Sequence, residues 1–197
     1  MSEIINDRSL DQLFRQARSH NVWTDRPVSD VTLQALYELM CMGPTSANCS
    51  PARVLFVKSP EAKARLKPHL IESNVEKCMT APVVAVIGYS LTFYEDLARL
   101  FPHNPEARSW FEGNAALIES TAFRNGTLQG AYLMLAARAV GLDCGPMSGF
   151  DNDGVDATFF AGQAVRSNFL CALGYGDHAQ LFPRNPRFGF DDVCDIL

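Results

Sequence analysis

The side chains in this sequence that could do chemistry gather in five short clusters, three of them containing glycine or proline. They are Arg18-Ser-His-Asn21, Gly43-Pro-Thr-Ser-Ala-Asn-Cys-Ser-Pro-Ala-Arg53, Asn74-Val-Glu-Lys77, Gly145-Pro-Met-Ser-Gly-Phe-Asp151 and Arg184-Asn-Pro-Arg187. Arg18 with Ser19, and Arg184 with Arg187, offer guanidinium and hydroxyl groups able to hold a phosphate, although the same arginines would also suit a solvated face. The segment from Pro44 to Pro51 presents the Thr45 and Ser46 hydroxyls, the Asn48 amide and free backbone groups. Such a set can hydrogen-bond the polar edge of a heteroaromatic ring or an oxyanion, or it can simply cap its own turn. Asn74 and Lys77 lie three residues apart, on one side of a helical turn. Lys77 there could stabilise negative charge on a ring, or pair in solvent with Glu72 or Glu76. The glycines around Met147 and Ser148 would let backbone approach a flat ligand closely, or serve a structural turn.

The usual catalytic constellations are missing. The sequence holds no G-x-S-x-G, no G-x-x-x-x-G-K-[ST], no G-x-G-x-x-G after a strand and no H-E-x-x-H, so hydrolase and dinucleotide-fold readings lose their anchors. No C-x-x-C occurs, and the four histidines (His20, His69, His103, His178) are far apart along the chain, so no metal site is expected. The six cysteines sit in apolar neighbourhoods of a chain with an ample core, which favours free buried thiols over three disulfides.

Several elements must position these clusters. Ser9-Leu-Asp-Gln12 has the form of a capping box, and the spacing of Leu10, Leu13, Phe14 and Ala17 predicts a first helix to about Ser19. Ser29 should cap a second helix, with Val31, Ala35, Leu36, Leu39 and Met40 on one stripe and Gly43-Pro44 as its stop. Arg53–Val57 and Val83–Ile87 read as strands, the second apolar throughout as a strand covered on both faces must be, and Ser59-Pro60 opens a helix between them. From Asn114 to Val140 the pattern is helical, with Leu128, Ala131, Tyr132, Leu135, Ala136 and Ala139 on one face. Its second half is apolar almost all round, so this spine should be central or lie in a subunit interface. Phe169–Tyr175 is the last strong strand. A Pro/Arg/Asn-rich tail with Phe182, Phe188 and Phe190 follows, and those rings need something apolar to cover. Helices first, then strands interleaved with helices, give an α+β or mixed α/β class built on one sheet.

The chain has 197 residues, 47% hydrophobic and 20% charged, which suits one domain and excludes a disordered, collagen-like or coiled-coil protein. Seventeen Lys+Arg against 22 Asp+Glu leave a net charge of −5, a field that repels polyanions and makes nucleic acid an unsuitable partner. No apolar run nears the roughly 18 residues of a membrane span, and the start of the chain mixes charges where a signal peptide would be apolar. A cytoplasmic protein with no membrane partner is expected.

Taken in order and spacing, the five clusters resemble the flavin-dependent nitroreductase superfamily over nearly the whole chain. Arg18-Ser19-His20-Asn21-Val22-Trp23 is similar to its N-terminal basic-Ser-x-basic motif with a following aromatic. Pro44-Thr45-Ser46-Ala47-Asn48-Cys49-Ser50-Pro51 resembles its Pro-Ser-Ser/Ala-x-Asn-x-Gln-Pro loop. Asn74 and Lys77 match an Asn-x-x-Lys before a strand, Gly141 to Asp151 its Gly-Leu to Pro-x-x-Gly-Phe-Asp stretch, and Arg187 to Val193 its closing segment. Phe101 to Phe111, Thr121-Ala-Phe-Arg-Asn125 and Gly145–Asp151 resemble more closely the RutE/HadB branch, malonic semialdehyde reductases of pyrimidine degradation.

The resemblance implies an α+β fold with a central mixed sheet flanked by helices, an intertwined homodimer, and residues 1–197 as a single domain whose arm (about 182–197) reaches over the partner. It implies non-covalent FMN, with NADH or NADPH as co-substrate in a ping-pong hydride transfer through flavin N5 to a small-molecule acceptor. Arg18, Ser19, Asn21 and Arg187 would lie at the FMN phosphate and ribityl chain, and Pro44, Thr45, Ser46 and Asn48 would come from the other subunit. Asn74 and Lys77 would contact the polar edge of the ring, Lys77 polarising it, and the backbone of Met147, Ser148 and Gly149 would lie near N5. Asn21 and Ser50 depart from the family pattern, as does Ser148, where an acidic residue often stands. For a malonic semialdehyde acceptor, Arg108 beside Trp110 and Phe111 would supply a carboxylate clamp, unless Arg108 is a surface residue and the two rings are core. A general nitro/quinone reductase and a non-catalytic flavin-binding protein are the alternatives.

Overall fold

The computed structural model describes residues 3–197. Its first helix, α1 (Asp7–Leu10), starts earlier than the Ser9 capping box suggests, because the Asn6 side chain accepts from the Ser9 N–H at 2.9 Å and takes the cap position. α1 passes into a π-helical turn, Asp11–Arg15, that Arg15 tightens by pairing with Asp7 and Asp11, each at 2.7 Å, so the helix ends four residues short of Ser19. Ser29 caps α2 (Asp30–Met40) as expected, accepting from Thr32 N–H at 3.1 Å. α2 buries Leu33, Leu36 and Met40 and leaves Val31 and Leu39 in solvent, so its apolar residues are split between two faces.

Strand β1 (Ala52–Val57) leads to α3 (Pro60–Leu66), where Ser59 and Pro60 act as N-cap and first-turn proline, then to α4 (Glu72–Thr80) and β2 (Val83–Ser90). A short helix α5 (Leu97–Leu100) and a 3-10 segment Pro105–Trp110 precede the spine α6 (Ala115–Ala139), capped by Asn114. After Gly141, at φ 83°, come β3 (Asp143–Met147), α7 (Asn152–Phe159), β4 (Val165–Gly174) and, in the tail, α8 (Phe190–Val193). The Gly145-Pro146 stretch, with its turn-forming composition, is thus a strand: Pro146 has no N–H to offer the ladder, and β3 lies at a sheet edge where that loss is tolerated.

The sheet order is β1-β2-β4-β3, and every neighbouring pair is antiparallel, with Val54 opposite Ile87, Ala85 opposite Cys171 and Gly145 opposite Ala172. This corrects the expectation of a mixed sheet. The all-apolar run of β2 reports that both faces are covered, and covered faces do not fix strand direction. Val84 and Val86 pack with Val57, Leu66, Leu170 and Ala172 on one face, while Val83, Ala85 and Ile87 pack on the other against Leu36 of α2 and Leu133 and Ala137 of α6.

The spine meets the sheet through a face other than the one its leucines mark. Thr121, Ala122, Asn125, Gly126, Gln129, Gly130, Leu133, Ala136 and Ala137 are buried, whereas Leu128 of the expected stripe is exposed. Small residues win this face because β2 and β4 come too close for larger ones: a Cβ on Gly130 would lie 2.4 Å from the Phe169 ring, and one on Gly126 2.9 Å from Tyr89 Cβ. The buried amides work as connectors, Gln129 accepting from Ala52 N–H and Asn125 from Ser46 N–H, both at 2.8 Å. The tail keeps Phe182, Phe188 and Phe190 in solvent within one chain. Among the described residues no helix is long and apolar enough to cross a membrane. All six cysteines are unpaired, and Cys49, Cys78, Cys144 and Cys171 are buried.

In an open helix, Gly→Ala gains about 1 kcal/mol. Gly130→Ala should instead cost about 1–3 kcal/mol, since the new methyl overlaps Phe169. Urea unfolding midpoints of the two proteins check the sign.

Candidate active site

Three of the five clusters meet along the edge strand β3 and its extension to Phe150. Ser19 forms a parallel bridge with Cys144, and His20 N–H donates to Cys144 C=O at 2.9 Å. The Trp23 indole N–H donates to Lys77 C=O at 3.1 Å, and the Lys77 ammonium donates to Pro146 C=O at 3.3 Å. One turn earlier on α4, the Asn74 amide donates to Gly149 C=O at 3.0 Å. The N-terminal motif, Asn74, Lys77 and the Met147-Ser148-Gly149 backbone are therefore ordered side by side. The approach depends on missing side chains: a Cβ on Gly145 would stand 2.4 Å from His20 O and 2.7 Å from Lys77 Cε, and one on Gly149 would stand 2.3 Å from Ile71 Cδ1.

Lys77 is only 8% exposed among Cys78, Trp23 and β3, and burial pushes its ammonium below the ordinary lysine range. A buried cation with a single carbonyl partner is poised to take up an anionic or strongly accepting group. Burial likewise raises the Cys49 and Cys78 thiols to about 11, which makes them packing groups rather than nucleophiles.

Beside Ser19 opens a cleft of about 580 Å³ that Arg18, Asn21, Arg138, Arg184 and Arg187 help to line. Arg184 ties the tail to the N-terminal segment by donating to Arg15 C=O and Ala17 C=O, both at 3.0 Å, and Arg18 donates to Phe182 C=O. Among the described residues Arg187 donates only to the neighbouring carbonyls of Asn185 and Pro186. Arg138 carries a buried Nε without a partner. Guanidinium groups that meet only carbonyls leave the cleft with uncompensated positive charge, the chemistry a phosphate requires. Asn21 also lines this cleft and contributes an amide.

The Pro44–Ser50 loop is built elsewhere. The Tyr132 hydroxyl donates to Pro44 C=O at 2.9 Å, Asn125 holds Ser46 N–H, the Thr45 hydroxyl accepts from Ser50 N–H at 3.1 Å, and the Asn48 amide donates to Leu100 C=O at 2.8 Å. Ala47, Asn48 and Ser50 have φ of 50°, 50° and 39°, a strained run for residues with a Cβ, held by those four anchors. This loop enters β1, the edge of the sheet opposite β3. With β2 and β4 between, three strand spacings of roughly 4.8 Å separate the two edges, about 14 Å. A single chain does not bring the loop to the β3 edge.

Arg108 is exposed and stands 3.5 Å from Glu112, and Trp110 is exposed beside Phe101. Phe111 is a core residue: its ring packs edge-on to Phe93 at 4.9 Å, in the cluster that also holds Cys49 and Ala47, so it supports the loop from beneath rather than lining a pocket. Sequence reasoning missed Asn125 and Gln129 as anchors, because a buried amide in a helix carries no signal until its backbone partner is known.

A family model described as the nitroreductase family matches residues 14–176. The chain belongs to the nitroreductase family. A relative from Burkholderia lata, provisionally named NADH dehydrogenase/NAD(P)H nitroreductase, is 65% identical over 192 residues and covers 98% of both chains. A relative from Ralstonia pickettii with the same provisional name and the designation HadB is 60% identical, covering 95% of this chain and 97% of its own. Among solved structures, a provisionally named nitroreductase from Bacillus subtilis superimposes with a TM-score of 0.89 at 19% identity, covering 98% of this chain and all of its own. One from Exiguobacterium sibiricum, solved in complex with FMN, gives 0.84 at 21% identity with full coverage of both. At these identities the two structures establish the shared fold.

The buried ammonium has a signature in pH. Because the fold lowers the Lys77 pKa, the folded chain holds that proton more loosely than the unfolded one. The penalty is present in full below the lowered value and is relieved as pH rises through it towards 10.5. Lys77→Met, which carries no such charge, should lead the parent in urea stability at pH 7, and the lead should shrink by pH 10. Unfolding curves of both proteins without added cofactor check this.

Proposed function

We propose that this protein is an NAD(P)H-dependent oxidoreductase with non-covalent FMN, working as a homodimer with two sites between subunits. The observation that carries the reading is the β3 edge, where a phosphate-suited arginine cleft runs on to a buried lysine and a glycine-flanked backbone. The donor set fits FMN: guanidinium and hydroxyl groups for the phosphate at one end, and for the ring the Asn74 amide, the Lys77 ammonium and the close backbone at Met147, Ser148 and Gly149 at the other. The relatives' names, which include NAD(P)H, and the FMN complex of the Exiguobacterium sibiricum structure support the same cofactor pair.

Within this reading Arg18, Ser19, Asn21 and Arg187 bind the phosphate and its linker. Lys77 places positive charge against the polar edge of the ring, where it favours the reduced, more anionic form, and Asn74 orients the same edge. When bound, FMN supplies hydride exchange between the nicotinamide and the second substrate. Pro44, Thr45, Ser46 and Asn48 belong to the far edge of the sheet, so they complete a site only from a second chain. The exposed Phe182, Phe188 and Phe190 of the tail, and Leu117, Phe123 and Leu128 on α6, suit burial in that dimer.

For the acceptor we favour malonic semialdehyde, reduced to 3-hydroxypropionate as in pyrimidine degradation, on the resemblance of Phe101–Phe111 and Gly145–Asp151 to the RutE/HadB branch. Arg108, exposed and weakly paired with Glu112, is free to clamp the carboxylate, and Trp110 can line its path. Reduction of nitro compounds is the second reading, favoured by the relatives' names. Visible spectra recorded without air test the core of the proposal: the purified protein should show a flavin band that bleaches promptly with NADH or NADPH. A protein that takes up no FMN, or whose bound flavin stays oxidised, would overturn it. Reoxidation by malonic semialdehyde faster than by nitroaromatics, with an Arg108→Ala variant raising KM for the semialdehyde about tenfold or more, would favour the first acceptor over the second.

A further inference from the structure

Folding gathers three potential metal ligands that the sequence keeps far apart. His20, Asp143 and His178 each offer one ligand atom, and these atoms lie within 4.8 Å of one another. Their spacing along the chain explains why the histidines gave no metal signal. His20 is 1% exposed, yet among the described residues neither ring nitrogen has a hydrogen-bond partner. A fully buried imidazole with both nitrogens unsatisfied is unusual, because such groups normally find a donor or acceptor.

The surroundings fix the ring in a ligating pose. Gly176 packs against its Nδ1 side so tightly that a Cβ there would stand 1.9 Å from Nδ1. The other nitrogen, Nε2, faces Asp143 Oδ1 at 3.5 Å, too long for a good hydrogen bond but close to the edge of a tetrahedron around an ion with bonds of about 2.0–2.1 Å. The second carboxylate oxygen, Oδ2, accepts from Gly176 N–H at 2.9 Å, which orients Asp143 and leaves Oδ1 for the ion. The His178 ring stands edge-on to His20, with centroids 5.0 Å apart and planes at 76°. Asp143 and His178 also line a cleft of about 800 Å³ open to solvent, so an ion has a way in and water a place beside it.

We propose that His20, Asp143 and His178 form a binding site for one divalent first-row ion of the zinc type, with the fourth position open to the cleft. Two imidazoles and a carboxylate are the donor set such ions take. None of the three ligands is among the residues assigned to FMN, although Arg18, which is, lines the same cleft as Asp143 and His178. The ion would join the Arg18–Trp23 segment, the first residue of β3 and the turn after β4, three stretches that otherwise meet through a few backbone bonds.

Zinc titration by calorimetry of the protein, cleared of metal with EDTA and with its flavin untouched, tests this. One ion per chain is expected to bind, and Tm should rise by about 5 °C at a hundredfold excess over Kd. His178→Ala changes an exposed residue, and Asp143→Asn keeps the side chain's shape. Each should weaken binding about tenfold or more and, at the same zinc concentration, remove about half of the Tm rise or more. A parent protein that binds no zinc would overturn the proposal. So would zinc binding of equal strength in both variants, which would locate the ion elsewhere, for instance on the exposed thiols of Cys41 and Cys194.

Discussion

The closeness of the β3 edge to the segments beside it is the constraint on which the site depends. Gly145 and Gly149 let the His20 backbone, the Lys77 stem and the Ile71–Asn74 turn come within contact of a strand that a Cβ would hold away. The carbonyls thereby exposed do the holding: Cys144 takes His20 N–H, Pro146 takes the Lys77 ammonium and Gly149 takes the Asn74 amide. An edge strand normally leaves its outer hydrogen-bonding groups to water or to a neighbouring chain. Here they order polar side chains from two other parts of the sequence.

That arrangement explains how a buried lysine is tolerated. The cost of removing an ammonium from water is met only in part by Pro146 C=O, and an anionic or strongly accepting ligand would meet more of it. The arginine cleft nearby has the same character on a larger scale, since several of its guanidinium groups have only carbonyl partners. In a chain with a net charge of −5, this local concentration of positive charge is the more telling feature, because the overall field works against it.

Much of this was legible in the sequence, and the misses have physical causes. The caps at Ser29 and Ser59, the strands around Val54 and Val86 and the extent of the spine follow from local chemistry, and local chemistry is what a sequence exposes. The working face of α6 does not, because Gly126 and Gly130 are chosen for distance to β2 and β4, and hydrophobic patterning points instead at Leu128, which stays outside. The strand Asp143–Met147 hides behind a glycine and a proline that an edge position tolerates. Phe111 reads equally as pocket wall or core and is core, since an aromatic residue near a polar one looks the same in either place. The grouping of His20, Asp143 and His178 depends on long-range folding and leaves no local trace. Cluster order and spacing carried the family, and the geometry adds which clusters share an edge.

The central claim is that each site is shared between two chains, because the Pro44–Ser50 loop and the β3 edge lie on opposite sides of one sheet. Co-expression of two differently tagged variants tests it most directly: Ser46→Trp blocks the loop, Arg187→Glu reverses a charge in the cleft, and both residues are exposed. Each variant alone should be folded and free of flavin. A mixed dimer combines the intact loop of one chain with the intact cleft of the other, so it should bind about one FMN. If loop and cleft served the same chain's site, every site in the mixed dimer would carry a defect. A mixed dimer without flavin would then contradict the account.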